Sequence, residues 1–158
     1  MAAAKAPAES RTETTHFVLP HATNALGTIF GGTIMQWIDE VAAVAAARHA
    51  GGIAVTAAVD ALQFLAPIQL GDLVVLRASV NAAFRTSMEV GVLVEVEDPR
   101  TGARRRTTKA YLTFVAVDPQ TRAPREVPPL SPSSDAERKR EAAARERRAA
   151  RLAARGAT

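Results

Sequence analysis

Residues 31–49 read GGTIMQWIDEVAAVAAARH, and the spacing of apolar side chains in this stretch decides the fold. Ile34, Trp37, Ile38, Val41, Val44 and Ala45 recur at i, i+3/i+4 and i+7, which marks one face of a helix. The opposite side carries Ala42, Ala43, Ala46 and Ala47 instead of charges. At about 1.5 Å per residue such a helix spans roughly 28 Å. A helix that is apolar nearly all round is expected to be buried on most sides. Gly51-Gly52 ends it, and only Gln36, Asp39 and Glu40 interrupt its apolar surface before Arg48.

Downstream, every strong signal has period two. Ile53, Val55, Ala57 and Val59 alternate, and Leu62 and Phe64 carry the pattern on to Pro67. Leu70-Gly71-Asp72 then turns the chain into a strand over Leu73–Val80. In residues 86–96, Met88, Val90, Val92, Val94 and Val96 face one way, against Ser87, Glu89, Gly91, Leu93 and Glu95. Residues 98–102 (DPRTG) make a tight connection, and residues 107–117 return with Ala110, Leu112, Phe114 and Ala116 on one side. Upstream, a short strand is expected from Thr12 through Phe17 and Leu19, before Pro20 opens a polar loop. Strands joined by short turns imply antiparallel pairing. One strand, one long buried helix and four further strands make an α+β layout with the helix covering one sheet face.

The flanks read differently. Residues 1–11 (MAAAKAPAESR) show no periodicity and are expected to be a disordered leader. Residues 12–120 form the folded domain. Residues 121–134 form an extended, proline-rich linker, since five of the nine prolines fall within 119–132. Ser134-Asp135-Ala136-Glu137 has capping-box spacing, so residues 135–158 are expected to form a basic Ala/Arg-rich helix. With Leu152 as its only large apolar residue, that helix has no seam to bury and is expected to be solvated or packed by its alanines on another subunit.

Composition removes several function classes. The 158 residues include no Cys, which excludes disulfides, thiolate zinc sites and a cysteine nucleophile. The formal charge of +4 resides wholly in the tail, where eight Lys/Arg face four acids, while residues 1–134 hold twelve of each sign. No stretch of about 18 apolar residues is present and the N-terminus lacks a signal-peptide core, so a reducing cytoplasm is the expected setting. There is no P-loop, dinucleotide fingerprint or nucleophile elbow, and neither His16 nor His49 has a partner at metal-ligand spacing.

Candidate chemistry converges on residues 20–40. Gly27 and Gly31-Gly32 bracket the helix entry, where free backbone N–H groups and the positive dipole end suit an anion or a polarised carbonyl; glycines there serve a tight turn equally well. Asp39, two turns into the helix beside Met35, Ala43 and Ala46, needs a dedicated partner if it is buried, or else is a solvated surface acid beside Glu40. Asn24 can hold a water or donate to an oxyanion, and His21 precedes it in the loop. Arg85-Thr86-Ser87 opens a strand where it can meet a phosphate or simply be solvated, and the same holds for Arg104-Arg105-Arg106.

The run from Pro20 to Gly32 (PHATNALGTIFGG), followed by Met35-Gln36-Trp37-Ile38-Asp39, resembles the signature of the hotdog-fold acyl-CoA thioesterases of the acyl-CoA hydrolase type. Further blocks resemble that family in its order: residues 55–60, 64–68, 71–72, 85–90 and 110–118. The resemblance covers about residues 12–120 and implies an antiparallel sheet wrapped around one long central helix. It also implies pairing of two subunits into one continuous sheet, with active sites at the dimer interface and further assembly as a trimer of dimers. The implied activity is hydrolysis of acyl-CoA to free coenzyme A and a carboxylic acid, with no metal and no cofactor beyond the coenzyme A of the substrate.

In the family's terms the Gly32 N–H polarises the thioester carbonyl, with Gly31 allowing close approach. Asp39, reaching from the partner subunit, is the catalytic carboxylate, as nucleophile or general base, and Asn24 orients water or substrate. Phe64 contributes to substrate binding, with Met35, Trp37 and Leu65 further candidates for the acyl pocket. Arg85, Thr86 and Ser87 are candidates for the phosphates of coenzyme A. The alternatives are an acyl-CoA-binding sensor without turnover, a hotdog dehydratase, which would want a helix His paired with an acid, and nucleic-acid or membrane contact through the basic tail.

Overall fold

The structure is a computed structural model that describes residues 2–157. Five strands, β1 (Thr12–Phe17), β2 (Ala54–Val59), β3 (Leu73–Ala83), β4 (Ser87–Glu97) and β5 (Arg104–Ala116), form one antiparallel sheet in the order β1-β3-β4-β5-β2. Helix α1 (Gly31–Ala50) lies across its inner face and α2 (Asp135–Gly156) follows at the C-terminal end. This is the α+β hotdog arrangement expected from the sequence.

Side-chain alternation builds the core directly. Val74, Leu76 and Val80 of β3, Met88 through Val96 in steps of two on β4, and Ala110, Leu112, Phe114 and Ala116 of β5 all face α1 and are buried. From α1, Ile34, Ile38, Val41, Ala42, Ala45, Ala46 and Ala50 enter the same cluster, and His49 is buried on the same helix. Two positions of the expected helix face differ. Val44 is exposed, and Trp37 is only partly buried, stacked on the His16 ring with centroids 4.2 Å apart. The buried stripe thus runs 34-38-41-45-49, and the 3.6-residue period carries position 44 outward. Gly51 ends α1 at φ 66°, its N–H bonded to Ala47 O at 2.9 Å.

The flanks correct three expectations. Residues 5–11 do not fray: Lys5 exchanges backbone hydrogen bonds with Pro129 and Ser131, and Ser10 is wholly buried, its Oγ accepting from Val80 N–H at 2.9 Å. The proline-rich segment is extended but is no free linker, because Val127 and Pro128 are buried and Val127 N–H bonds Arg85 O. Helix α2, capped by Ser134 and Glu137 with reciprocal bonds, packs onto the outer sheet face of its own chain. Arg147 lies 3.6 Å from the Tyr111 ring centroid and holds the buried Glu89 carboxylate through bonds of 2.9 and 2.7 Å. Arg145 and Arg148 both cover Phe84. Arginine stems and planar guanidinium groups here supply the contact area that large apolar residues usually supply.

His49 fastens the extended segment. It is fully buried, and its Nε2 donates to Pro128 O at 2.8 Å, while Nδ1 has no partner among the described residues. That arrangement requires the neutral ring, and burial holds its pKa below the ordinary 6.5. Burial likewise lowers His16. Both groups are depressed in the fold relative to the unfolded chain, so their contribution to stability is complete above pH 6.5 and is lost as pH falls below it. Denaturant midpoints measured through that range are expected to fall with acid, and His49→Gln is expected to flatten the slope. An unchanged slope would remove His49 from this account.

Candidate active site at the head of the central helix

The loop preceding α1 is held rigidly. Gly27 (φ 74°) reverses the chain, and Ile29 N–H to Ile68 O and Leu70 N–H to Gly27 O clamp residues 27–29 against residues 68–70. Asn24 organises this turn: its Oδ1 accepts from Leu26 and Thr28 N–H, and its Nδ2 donates to Thr28 Oγ1 at 2.8 Å. Phe30 N–H bonds Ala22 O, which delivers the chain to the first turn of α1.

No side chain caps that first turn, and the Gly31 and Gly32 N–H groups have no acceptor among the described residues. A Cβ on Gly31 would meet the Phe64 ring at 3.4 Å, whereas one on Gly32 would project into open space. The helix therefore presents unpaired donors and its positive dipole end to open space next to Phe64. Phe64 is brought there by residues 60–68, which run along β5 through Asp60 N–H to Tyr111 O, Thr108 Oγ1 to Gln63 O and Leu65 N–H to Thr107 O. Leu65 itself is exposed, and Trp37 stacks on His16.

Two turns along, Asp39 accepts a short 2.6 Å hydrogen bond from the Thr56 hydroxyl. Thr56 lies on β2, so this bond ties the helix to the sheet edge and orients one carboxylate oxygen. Met35, Ile38, Asp39, Thr56, Val59 and Leu112 line a cleft of about 410 Å3 there. Its volume falls within the small-molecule range and its walls are mostly apolar. Asp39 is exposed in the single chain, in contrast with the burial considered from its apolar neighbours, because no described residue of the same chain covers this side of α1.

Strand register relates Arg85, Thr86 and Ser87 to this cleft. Thr56 pairs with Phe114 and Phe114 with Met88, so Ser87 lies one residue from the Thr56 row at two strand spacings, roughly 10 Å. Backbone carbonyls of Arg85 and Thr86 bond Val127 and Ala116 N–H, and the three side chains have no hydrogen-bond or ion-pair partner among the described residues. His21 is exposed. Thr56 is the one functional candidate that residue patterning did not single out, since only the folded pairing of β2 with α1 reveals its contact. No group of three or more His, Asp or Glu able to hold a metal is present among the described residues.

The structure also sits among known proteins. The thioesterase superfamily model matches residues 26–103. Acyl-coenzyme A thioesterase 11 of Mus musculus is 41% identical over 145 residues, 89% of this chain, which spans 24% of that longer protein. An acyl-CoA hydrolase from Staphylococcus aureus, solved in complex with butyryl coenzyme A, coenzyme A and coenzyme A disulfide, superposes with a TM-score of 0.89 at 39% identity, covering 96% of this chain and 92% of that one. Alanine variants of that enzyme at an asparagine, an aspartate and a threonine have been solved as well. A hexameric acyl-CoA thioesterase superposes with a TM-score of 0.89 at 40% identity, covering 96% and 99% of the two chains. By these identities over nearly the whole fold, the chain belongs to the thioesterase superfamily, among its acyl-CoA thioester hydrolases.

Proposed function

We propose that this protein hydrolyses acyl-CoA thioesters to free coenzyme A and a carboxylic acid, in a site completed by a second copy of the chain. The observation that carries the reading is a carboxylate fixed by one hydroxyl, Thr56 to Asp39, on an open side of the helix whose own head presents unpaired N–H donors, so that a second copy can bring its helix head to this Asp39. Asp39 acts as general base. Its Oδ1 is occupied by Thr56 and its Oδ2 is free to take a proton from water. The water oxygen attacks the thioester carbon, the Gly32 N–H stabilises the oxyanion that forms, and the C–S bond breaks as the thiolate leaves and recovers a proton. No metal enters this sequence. In single turnover in heavy-oxygen water, label is expected only in the product acid; label in the Asp39 carboxylate would assign it as nucleophile instead.

The open edge of β2 supports a shared site. β2 pairs with β5 on one side only, and Ile53, Val55 and Val59 on or beside it are exposed together with Met35 and Val44 of α1. A long apolar edge of this kind calls for a partner strand. Antiparallel joining of two β2 strands makes one continuous sheet and covers Asp39, and three such dimers complete a hexamer. Asn24 and Gly32 of one chain then serve with Asp39 of the other. Mixing Asp39→Asn protein with Asn24→Ala protein after subunit exchange is expected to restore part of the lost turnover. Absence of any recovery in confirmed hetero-oligomers would contradict a site shared in this way.

Thr56→Val deletes the hydroxyl and little else. A hydrogen bond to a charged group contributes about 1.5–3 kcal/mol, so kcat is expected to fall roughly ten- to a hundredfold with KM nearly constant. A rise in KM alone would assign Thr56 to binding.

A further inference from the structure

On the side of the sheet away from Asp39, α2 and the outer faces of β3, β4 and β5 enclose a groove of about 790 Å3. Leu112 lines the catalytic cleft, while its neighbour Tyr111 lines this groove, so the thickness of the sheet separates the two. The lining is strongly basic. Arg77 is neutralised by Glu13 and Glu95, and Arg147 by Glu89. Arg106 and Lys109 on β5 and Lys139 and Arg140 on α2 have no acidic partner among the described residues. Four uncompensated cations thus converge on one concave surface from two elements, as much charge as the formal net +4 of the whole chain. Bringing like charges together on docking α2 opposes the fold, and an anion between them relieves that repulsion.

We propose that this groove is a second site, which binds a small anion bearing several linked phosphates. Arg106 and Lys109 stand three residues apart along β5, roughly 10 Å. That separation suits a chain of phosphates better than a single one, with Lys139 and Arg140 closing from the helix. The groove is poorly suited to bases: Tyr111 is its only aromatic residue, and the Arg147 guanidinium already covers that ring at 3.6 Å. Single-stranded nucleic acid, which needs open stacking platforms, fits less well. The required chemistry is available as inorganic tripolyphosphate or as the phosphate tail of a nucleotide. The site is independent of the thioesterase reading, because none of the four cations lines the catalytic cleft.

The test is calorimetric titration of the full-length protein with tripolyphosphate, ADP and ATP in turn. A variant carrying Arg106→Gln, Lys109→Gln, Lys139→Gln and Arg140→Gln is compared with an equal-charge control carrying Arg100→Gln, Arg122→Gln, Arg138→Gln and Arg155→Gln. Wild type is expected to bind with an affinity that falls steeply with salt, and the groove variant to lose about tenfold or more while the control does not. Tripolyphosphate matching ATP identifies recognition through phosphate alone, and ATP binding much more tightly identifies a nucleotide source; both support the site. Equal losses in the two variants would reduce it to bulk charge and overturn it. Tighter capture of a short single-stranded RNA through the same four residues, or dissociation of the oligomer in the groove variant alone, would overturn it too, in favour of nucleic acid or of a subunit contact.

Discussion

Asp39→Asn is expected to lower kcat for acyl-CoA hydrolysis by roughly 10²–10⁴-fold, the range a positioned general base contributes, or about 3–5 kcal/mol of barrier. The substitution keeps the size of the side chain and an oxygen to accept the Thr56 hydroxyl, so the 2.6 Å bond can persist and α1 stays tied to β2. What is lost is the ability to take a proton. Because the side chain is exposed in the single chain, the fold has little reason to change, and unchanged thermal unfolding is part of the expected result. KM should move little, since the Gly32 donors, Phe64 and the apolar cleft are untouched. A loss smaller than tenfold would remove Asp39 from the chemistry and leave the carboxylate as an anchor for Thr56.

Arg147→Met is expected to destabilise the fold by about 3–5 kcal/mol, although the position lies on the opposite face of the sheet from the Asp39 cleft. Glu89 is 2% exposed on the outer face of β4, and Arg147 is its only cationic partner among the described residues, with Asn81 adding a weaker bond of 3.1 Å. Removing the guanidinium leaves a buried carboxylate nearly alone and uncovers Tyr111. For a chain of this size each kcal/mol corresponds to about 2–4 °C in the unfolding midpoint, so the shift is large enough to read by calorimetry. Adding Glu89→Leu to Arg147→Met should recover much of the loss, because the cost arises from the stranded charge. A single variant as stable as wild type would show that the Arg147–Glu89 pair contributes nothing to the fold.

The parts of this structure legible in the sequence are those in which one periodic face meets one surface. The Ile34–His49 stripe and the alternation of Met88 through Val96 and of Ala110 through Ala116 each mark their burial without reference to any other element. Glu89 shows the limit of such reading. It alternates with the valines of β4 as a solvated residue would, and only the arrival of Arg147 from 58 residues away makes it a buried charge. The tail misleads for the same reason: a helix of Ala, Arg and Glu lacks an apolar seam, and its docking through guanidinium groups on Tyr111 and Phe84 depends on partners remote in sequence. Residues 5–11 are ordered by strand-like pairing with 129–131, which composition cannot express. Within the site, Asp39, Gly31 and Gly32 follow from their places on one helix, whereas Thr56 becomes visible only when β2 meets that helix.

The most direct test is steady-state release of free thiol by the wild-type protein from a series of acyl-CoAs of increasing chain length, with equilibrium binding of each measured in parallel. Saturable turnover above the uncatalysed rate, for at least one chain length that also binds, is the predicted result. Binding across the series without thiol release would contradict hydrolysis and leave a protein that holds acyl-CoA without cleaving it.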